Sequence, residues 1–242
     1  MIMKKIIKAN ISLMLVMGMS TMFADNTLNA QNDGKPTVTQ EQHQRDMEAL
    51  RIKRDSTLAV ISKLKLPELV EQMNKDSRTR EHFNSPAYRE VVNNRKRESN
   101  ELFEIINKQQ KVGYIALMAL RKMDIELYSK TDVDLRLSAL AESFRQTKVY
   151  NRWGIPHLYW QAPAKSMIEL GEEAEKVLKG FLKDQTKVLI MGHEEELEIE
   201  MYQYRKCDYA LAMIMEIRGQ SVKEIPRKTA DRDQMIEKIL EE

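Results

Sequence analysis

Residues 162–184, APAKSMIELGEEAEKVLKGFLKD, contain the pattern that decides the fold class. Apolar side chains recur every three or four residues on both sides of Gly171, and Glu172 and Glu173 directly follow this glycine. Glycine is favoured in the left-handed conformation just after a helix, and acidic residues are favoured in the first turn of the next helix. The segment therefore predicts two short antiparallel helices joined by a tight turn.

The composition of the whole chain favours helices as well. Its 242 residues include only eight glycines and six prolines, whereas 31% are charged and 42% are hydrophobic. Long amphipathic helices use such a composition, and sheet proteins need more turn residues. We therefore predict an all-α fold, an irregular helical bundle with antiparallel helical hairpins in the C-terminal half.

Capping residues and prolines predict the other helix boundaries. A capping box at Thr39 and Gln42 begins a long first helix, which Pro67 ends, and a short helix follows at 67–75. Ser85 and Pro86 begin the next one. The later helices are predicted at 86–108, 111–123, Thr131 to about Lys148, 194–218 and 230–241.

The first residues have the layout of a secretory signal peptide. Three lysines in the first eight residues precede a short apolar run at residues 11–23. This run is shorter than the roughly 20 residues needed to span a bilayer. We therefore expect export to the periplasm or the extracellular space, cleavage after Ala24 or Ala30, and no stable membrane anchor afterwards.

The chain divides into four predicted parts. These are the signal peptide (1–30), a flexible leader (31–39), an N-terminal helical region (40–148) and the helical hairpins (149–242), the last two forming one continuous domain. Removing residues 1–24 deletes three lysines and no acid, so the formal charge changes from +2 to −1. A nearly neutral chain lacks the basic excess of nucleic-acid binders, so we expect no nucleic-acid partner.

Catalytic signatures are absent from the sequence. It contains no phosphate-binding glycine loop, no serine nucleophile elbow and no paired-cysteine metal spacing. Cys207, the only cysteine, could act as a thiol nucleophile with His157, but nothing local marks an activating environment. The acidic patch at 193–200 could in principle bind a divalent cation, but only one His–carboxylate pair in it, His193 and Glu196, shares a helix face. The alternative interpretation is an acidic helix start that the helix dipole favours. We expect no cofactor and no metal, and an enzyme is not favoured.

Two segments concentrate polar and aromatic side chains. The first is an irregular stretch punctuated by Gly154 and Pro156, and the second contains Arg205 and Asp208, whose spacing allows an ion pair on one helix face. If the first segment folds over the second, the two would line a pocket for a small polar ligand. The predicted ligand-binding residues are Arg152, Trp153, His157, Tyr159, Trp160, Tyr204, Arg205 and Asp208.

Structural roles are the alternatives for these residues. The Arg205–Asp208 pair would then tie adjacent helices together, with Tyr202, Tyr204 and Tyr209 on the same helix as hydrogen-bond partners. The aromatic side chains of 152–160 would plug the interface between the N-terminal bundle and the C-terminal hairpins.

The 162–184 segment resembles a HEAT-type repeat. YRKCDYALAMIMEIRG (204–219) resembles the Arg-bearing helix that opens another such unit. RWGIPHLYW (152–160), taken together with YxYRxCDYA (202–210), is similar to uncharacterised bacterial proteins that are HEAT-repeat-like. The resemblance covers roughly residues 160–220.

The resemblance implies HEAT-like hairpins in the C-terminal half. Such repeats stack on their neighbours and form a curved surface that commonly holds proteins. It therefore implies an exported protein–protein interaction module whose partner is another protein or a peptide. The alternative function is a small-ligand-binding protein or enzyme that uses the 152–160 loop and the 202–209 helix.

Overall fold

The computed structural model describes residues 40–76, 82–108, 113–192 and 200–242. Helices fill most of these ranges, and each of the two β-strands within them is only two residues long. The predicted all-α fold class is therefore confirmed. No helix in the described ranges is long and apolar enough to cross a bilayer. The predicted signal peptide and leader lie outside the described residues.

The first half of the described chain is helical throughout. Its α-helices are α1 (Gln40–Ile61), α2 (Leu66–Asp76), α3 (Pro86–Asn94), α4 (Ser99–Lys108), α5 (Tyr114–Met123), α6 (Ile125–Lys130) and α7 (Val133–Gln146). The chain divides within α1, and residues 49–242 form one compact unit. Within this unit α5 is central, because α2, α3, α4, α6 and α7 all contact it. Its side chains from Tyr114 to Leu120 are all buried.

Helix α1 ends earlier than predicted. It stops at Ile61, and Pro67 lies in the first turn of α2 instead of ending α1. The Arg95 guanidinium donates to the carbonyl oxygens of Ser62 and Leu64 at 3.0 and 3.3 Å. These long-range bonds stabilise the turn between α1 and α2, which no local sequence signal marks.

The single helix predicted at 86–108 is interrupted. The short 3-10 helix Lys96–Glu98 separates α3 from α4. Arg95 leaves the helical conformation with φ −112° and ψ 23°. Its guanidinium donates to Glu90 and Glu98, both at 3.1 Å. These local bonds, together with the long-range bonds of Arg95 to Ser62 and Leu64, outweigh the helical preference of the surrounding sequence.

The residues around α7 also differ from the prediction. Asp132, not Thr131, caps this helix, because its carboxylate accepts from the N–H of Leu135 at 2.9 Å. Helix α6, which the pattern does not predict, begins where Asp124 accepts from the N–H of Leu127 at 3.0 Å. A short helix capped by Asp124 therefore lies where the sequence predicts only a connection, and Asp132 caps the helix that follows it.

A β-hairpin separates the two halves. Strands β1 (Gly154–Ile155) and β2 (Tyr159–Trp160) pair antiparallel, with Gly154 opposite Trp160. The sequence predicts only a loop or turn here. The α-helices that follow are α8 (Ala162–Ile168), α9 (Glu172–Lys179), α10 (Lys206–Ile217) and α11 (Thr229–Glu241).

Helix α10 is the centre of the second half. It contacts α8, α9 and α11, and its residues from Cys207 to Met215 are all buried. Gly171 joins α8 to α9 with a φ of 61°, as the glycine pattern predicts. The helix predicted over 194–218 is broken before α10, because residues 203–205 are not helical.

Candidate functional site

Arg205 and Asp208 form the predicted ion pair at the start of α10. Arg205 directly precedes the helix, and Asp208 lies in its first turn. The Asp208 carboxylate accepts from the backbone N–H of Arg205 at 2.8 Å, from Nε at 3.0 Å and from Nη2 at 2.8 Å. Asp208 is fully buried, and Arg205 is only 5% exposed. The hydrogen bonds to Asp208 raise the pKa of Arg205 above its ordinary value.

Arg232 of α11 completes a buried ionic network with this pair. Its side chain is fully buried, and Nε donates to Asp208 Oδ1 at 2.9 Å. Nη2 donates to the carbonyl oxygen of Tyr202 at 2.8 Å. Asp233 accepts from Nη2 of Arg205 at 2.7 Å. Two cations and two anions therefore balance, and they tie α10, α11 and the segment before α10 together.

The protein itself uses the hydrogen-bonding groups of the Arg205–Asp208 pair. The remaining guanidinium nitrogen of Arg205, Nη1, donates to Gln185 Oε1 at 2.6 Å. This geometry favours the structural alternative, and a ligand-binding role for Arg205 and Asp208 stays a prediction. Sequence reasoning missed Arg232, because it follows Asp208 by 24 residues on another helix and no local pattern connects the two.

The hairpin lies against the start of α10, which is the arrangement that a shared site would require. The Tyr209 hydroxyl donates to the carbonyl oxygen of Gly154 at 2.9 Å. The Tyr204 hydroxyl donates to the carbonyl oxygen of Pro156 at 3.1 Å. The 152–160 segment and the residues around 204–209 are thus held together by buried side-chain bonds to backbone.

His157 lies in the hairpin turn with a left-handed φ of 73°. This conformation costs a non-glycine residue about 1–2 kcal/mol. Two contacts offset the cost: Nδ1 lies 2.7 Å from the Tyr204 hydroxyl, and the ring centroid lies 4.4 Å from that of Tyr202. The Tyr204 hydroxyl therefore lies within hydrogen-bond distance of both the Pro156 carbonyl oxygen and Nδ1 of His157.

Tyr202 and Tyr204 precede α10, so they do not share a helix with Tyr209 as predicted. Their rings stack almost parallel, with centroids 5.1 Å apart and an interplanar angle of 3°. Tyr204 then meets Tyr209 edge to face at 5.7 Å. Both Tyr202 and Tyr204 are buried. The non-helical conformation at 203–205 is what places them side by side.

Trp153 lies in the core, whereas its neighbour Arg152 is half-buried. Trp153 is fully buried, its Nε1 donates to Thr147 Oγ1 at 3.3 Å, and its ring lies 5.0 Å from that of Phe144. The charge of Arg152 acts on the buried hydroxyl of Tyr114 in α5. Trp153 therefore has a packing role, which is the alternative stated for the aromatic side chains of 152–160.

Tyr159 and Trp160 line a surface pocket of about 330 Å³ together with His157. The opposite wall includes Glu216 of α10, which accepts from Trp160 Nε1 at 3.3 Å, and Lys223. The pocket lies beside the C-terminal end of α10, whereas the sequence prediction placed it beside the 202–209 segment. The structure therefore divides seven of the eight predicted residues between this pocket, the buried network and the core, and it leaves Arg152 half-buried outside all three.

Cys207 is not a nucleophile candidate in this structure. Burial raises the pKa of its thiol to about 12, so the thiol stays protonated at neutral pH. Among the described residues, no group of three or more His, Cys, Asp or Glu side chains is placed to hold a metal ion. Most of the acidic patch at 193–200 lies outside the described residues.

The second half of the chain thus has an inner and an outer part. Arg205, Asp208 and Arg232 form an ionic network inside, and Asp233 at its edge balances the charge. His157, Tyr159 and Trp160 face a small pocket outside. The chain matches no protein-family model, no curated protein and no solved structure.

Proposed function

We propose that this chain is an exported protein-binding module. The observation that carries the proposal is a set of large apolar side chains exposed on the segments around the hairpin. We call this set the hairpin surface; it consists of Leu158, Tyr159, Leu189, Met191 and Met201. Leu158 is 52% exposed and Leu189 is 50% exposed. Exposed apolar side chains that are concentrated in one region are typical of interaction sites.

Hydrogen bonds hold the segments that carry the hairpin surface. Leu189 accepts from the N–H of Tyr150 at 2.8 Å. The Asn151 side chain makes two bonds to the backbone of Met191, at 2.6 and 2.8 Å. On the other side, the N–H of Val188 donates to the carbonyl oxygen of Tyr204 at 3.0 Å. A partner would therefore meet a preorganised surface, and little entropy would be lost on ordering it.

Two sequence features also support the proposal. The basic and apolar N-terminal segment supports export. The likeness of 162–184 to a HEAT hairpin, in which Gly171 occupies the left-handed turn position, supports a binding role. Both features stay predictions, and they agree with an apolar binding surface on the second half of the chain.

The double substitution Leu158→Asp/Met191→Asp is expected to abolish capture of the partner. In the complex with the partner, two apolar contacts would be replaced by desolvated charges, and central contacts of this kind each contribute about 2 kcal/mol or more to binding. Captured partner should therefore fall at least tenfold, while the melting temperature stays within about 2 °C because both positions are exposed. The measurement is capture from envelope and secreted extracts, quantified by mass spectrometry.

Val133→Asp/Leu240→Asp is the matched control. Each of these two side chains is 39% exposed, and they lie on α7 and α11, outside the hairpin surface. The control should capture as much partner as the unchanged protein. Equal capture by the hairpin-surface variant would refute the proposal.

The pocket beside Trp160 supports a second candidate function, the binding of a small polar ligand. Its volume of about 330 Å³ is at the lower end of the roughly 300–1,000 Å³ of ligand pockets. It combines an aromatic wall with one carboxylate and one ammonium group, Glu216 and Lys223. Absence of any captured protein, together with a ligand-dependent rise in melting temperature that Glu216→Gln removes, would favour this function instead.

A further inference from the structure

A second cleft, separate from the hairpin surface, lies in the first half of the chain. Its volume is about 370 Å³, and it lies between the 3-10 helix His82–Asn84, helix α3 and the last turn of α5. Tyr88 and Val92 are buried at its base, one helical turn apart on α3. Arg89 and Asn93 repeat the same spacing beside them. One face of α3 therefore forms one wall of the cleft.

The polar lining of this cleft has one sign of charge. Arg89 and Lys122 both line it, and no acidic side chain among the described residues does. Neither cation forms an ion pair with any residue that the structure describes. Within the described part of the chain, the Arg89 guanidinium donates one hydrogen bond, from Nη2 to Asn84 Oδ1 at 3.3 Å. The base adds no negative charge, because burial raises the pKa of the Tyr88 phenol to about 12.

Helix electrostatics do not explain the position of Arg89. Lys122 lies in the last turn of α5, where a cation is favoured by the helix dipole. Arg89, in contrast, is the fourth residue of α3 and lies near the positive end of the helix dipole, which disfavours a cation and favours an anion. A negative group in the cleft would meet both side chains and the favourable end of α3.

We propose that this cleft binds a small organic anion about the size of a monosaccharide, a hydroxylated carboxylate or phosphate. The cleft is near the lower limit of roughly 300 Å³ for ligand pockets, which fits a ligand of this size. Arg89 and Lys122 bind the charged group, since charge-assisted bonds are the strongest polar contacts available. The amides of Asn84 and Asn93, which donate and accept, bind the hydroxyl groups.

The test is isothermal titration calorimetry of the full-length protein with four probes. Glucose 6-phosphate and glucuronate carry a charged group and hydroxyls, and they distinguish phosphate from carboxylate. Glucose lacks the charge, and inorganic phosphate lacks the organic part. At least one of the two organic anions is expected to bind at least tenfold more tightly than glucose and than inorganic phosphate.

Arg89→Gln/Lys122→Gln is expected to weaken that binding roughly tenfold or more, because two charge-assisted bonds are lost. Arg97→Gln/Lys130→Gln removes the same charge from exposed residues outside the cleft and is expected to change the affinity less than twofold. The melting temperature should stay unchanged in both variants, since all four side chains are exposed.

Three results would overturn the proposal. These are binding of neither organic anion, equal binding of glucose or of inorganic phosphate, and an affinity that Arg89→Gln/Lys122→Gln leaves unchanged. None of them bears on the hairpin surface, which belongs to other segments of the chain, so this site and the protein-binding function are tested independently.

Discussion

Replacing Asp208 with Asn is expected to lower the free energy of unfolding by about 3–5 kcal/mol, the usual cost of breaking a buried ion pair. The fully buried Asp208 carboxylate accepts four hydrogen bonds from arginines, three from Arg205 and one from Arg232. An amide keeps the shape but removes the negative charge, and its NH2 group faces guanidinium donors. Urea unfolding followed by circular dichroism measures the loss, and the melting temperature should fall by about 10 °C.

Asp233→Asn is the matched control for Asp208→Asn. Asp233 accepts one bond from Arg205 at 2.7 Å, but its side chain is 37% exposed. Water can replace that bond, so the expected loss is about 1 kcal/mol or less. If Asp208→Asn unfolded within about 2 °C of the unchanged protein but no longer bound its ligand or partner, Asp208 would belong to a binding site and the structural role would be wrong.

Gly154→Ala is expected to destabilise the protein by about 3 kcal/mol, through backbone strain and overpacking together. Gly154 has a φ of 97°, and a Cβ at this position would lie 2.2 Å from the carbonyl oxygen of Tyr159 and 2.8 Å from the nitrogen of Gln161. Both atoms belong to the backbone of the hairpin, so no side-chain rotation can relieve the overlap. The hairpin would have to separate from Tyr209, whose hydroxyl bonds to the carbonyl oxygen of Gly154.

Gly219→Ala separates the two contributions to that loss. Gly219 also has a left-handed φ, 70°, but nothing lies within 4 Å of a Cβ added there. The Gly219→Ala variant should therefore lose about 1–2 kcal/mol of unfolding free energy, from backbone strain alone. Urea unfolding of both variants gives the difference. Equal losses of unfolding free energy in the two variants would mean that a Cβ at Gly154 does not overlap the backbone of the hairpin, which would contradict the structure.

Capping residues and glycines in the sequence predict some of the helix boundaries. Ser85 and Pro86 mark the start of α3, and the Ser85 hydroxyl accepts from the N–H of Tyr88 at 3.3 Å as the cap should. Gly171 likewise separates α8 from α9. The interruptions at Arg95 and at 203–205 have no such signal, because bonds to distant parts of the chain decide them. Arg95, for example, reaches the carbonyl oxygen of Ser62.

The candidate site was predictable only in part for the same reason. The three-residue spacing of Arg205 and Asp208 indicates their ion pair, and the aromatic stretch at 152–160 does lie against them. Whether the pair is buried depends on tertiary packing, however, which the spacing does not indicate, and in the structure the pair lies in the core. Arg232, which shares Asp208 with Arg205, carries no mark in the sequence. The cleft beside Arg89 also depends on which helices become neighbours.

The structural role of the Asp208–Arg232 contact also explains how the hairpin surface is held. Arg232 donates to the carbonyl oxygen of Tyr202. The ring of Tyr202 packs against the ring of His157 in the hairpin turn. The network therefore stabilises the segment that follows Met201 and the turn that precedes Leu158. Loss of the network is expected to reduce partner capture only through unfolding.

The double-mutant cycle of Asp208→Asn and Arg232→Met, measured by urea unfolding, tests the structural role of this network most directly. Each single substitution leaves unbalanced charge in the core, whereas the double variant leaves Arg205 paired with Asp233. We predict that the double variant loses less stability than the sum of the single losses, with a coupling free energy of about 1–3 kcal/mol. Additive losses, within about 0.5 kcal/mol, would contradict a buried network that holds α10 to α11.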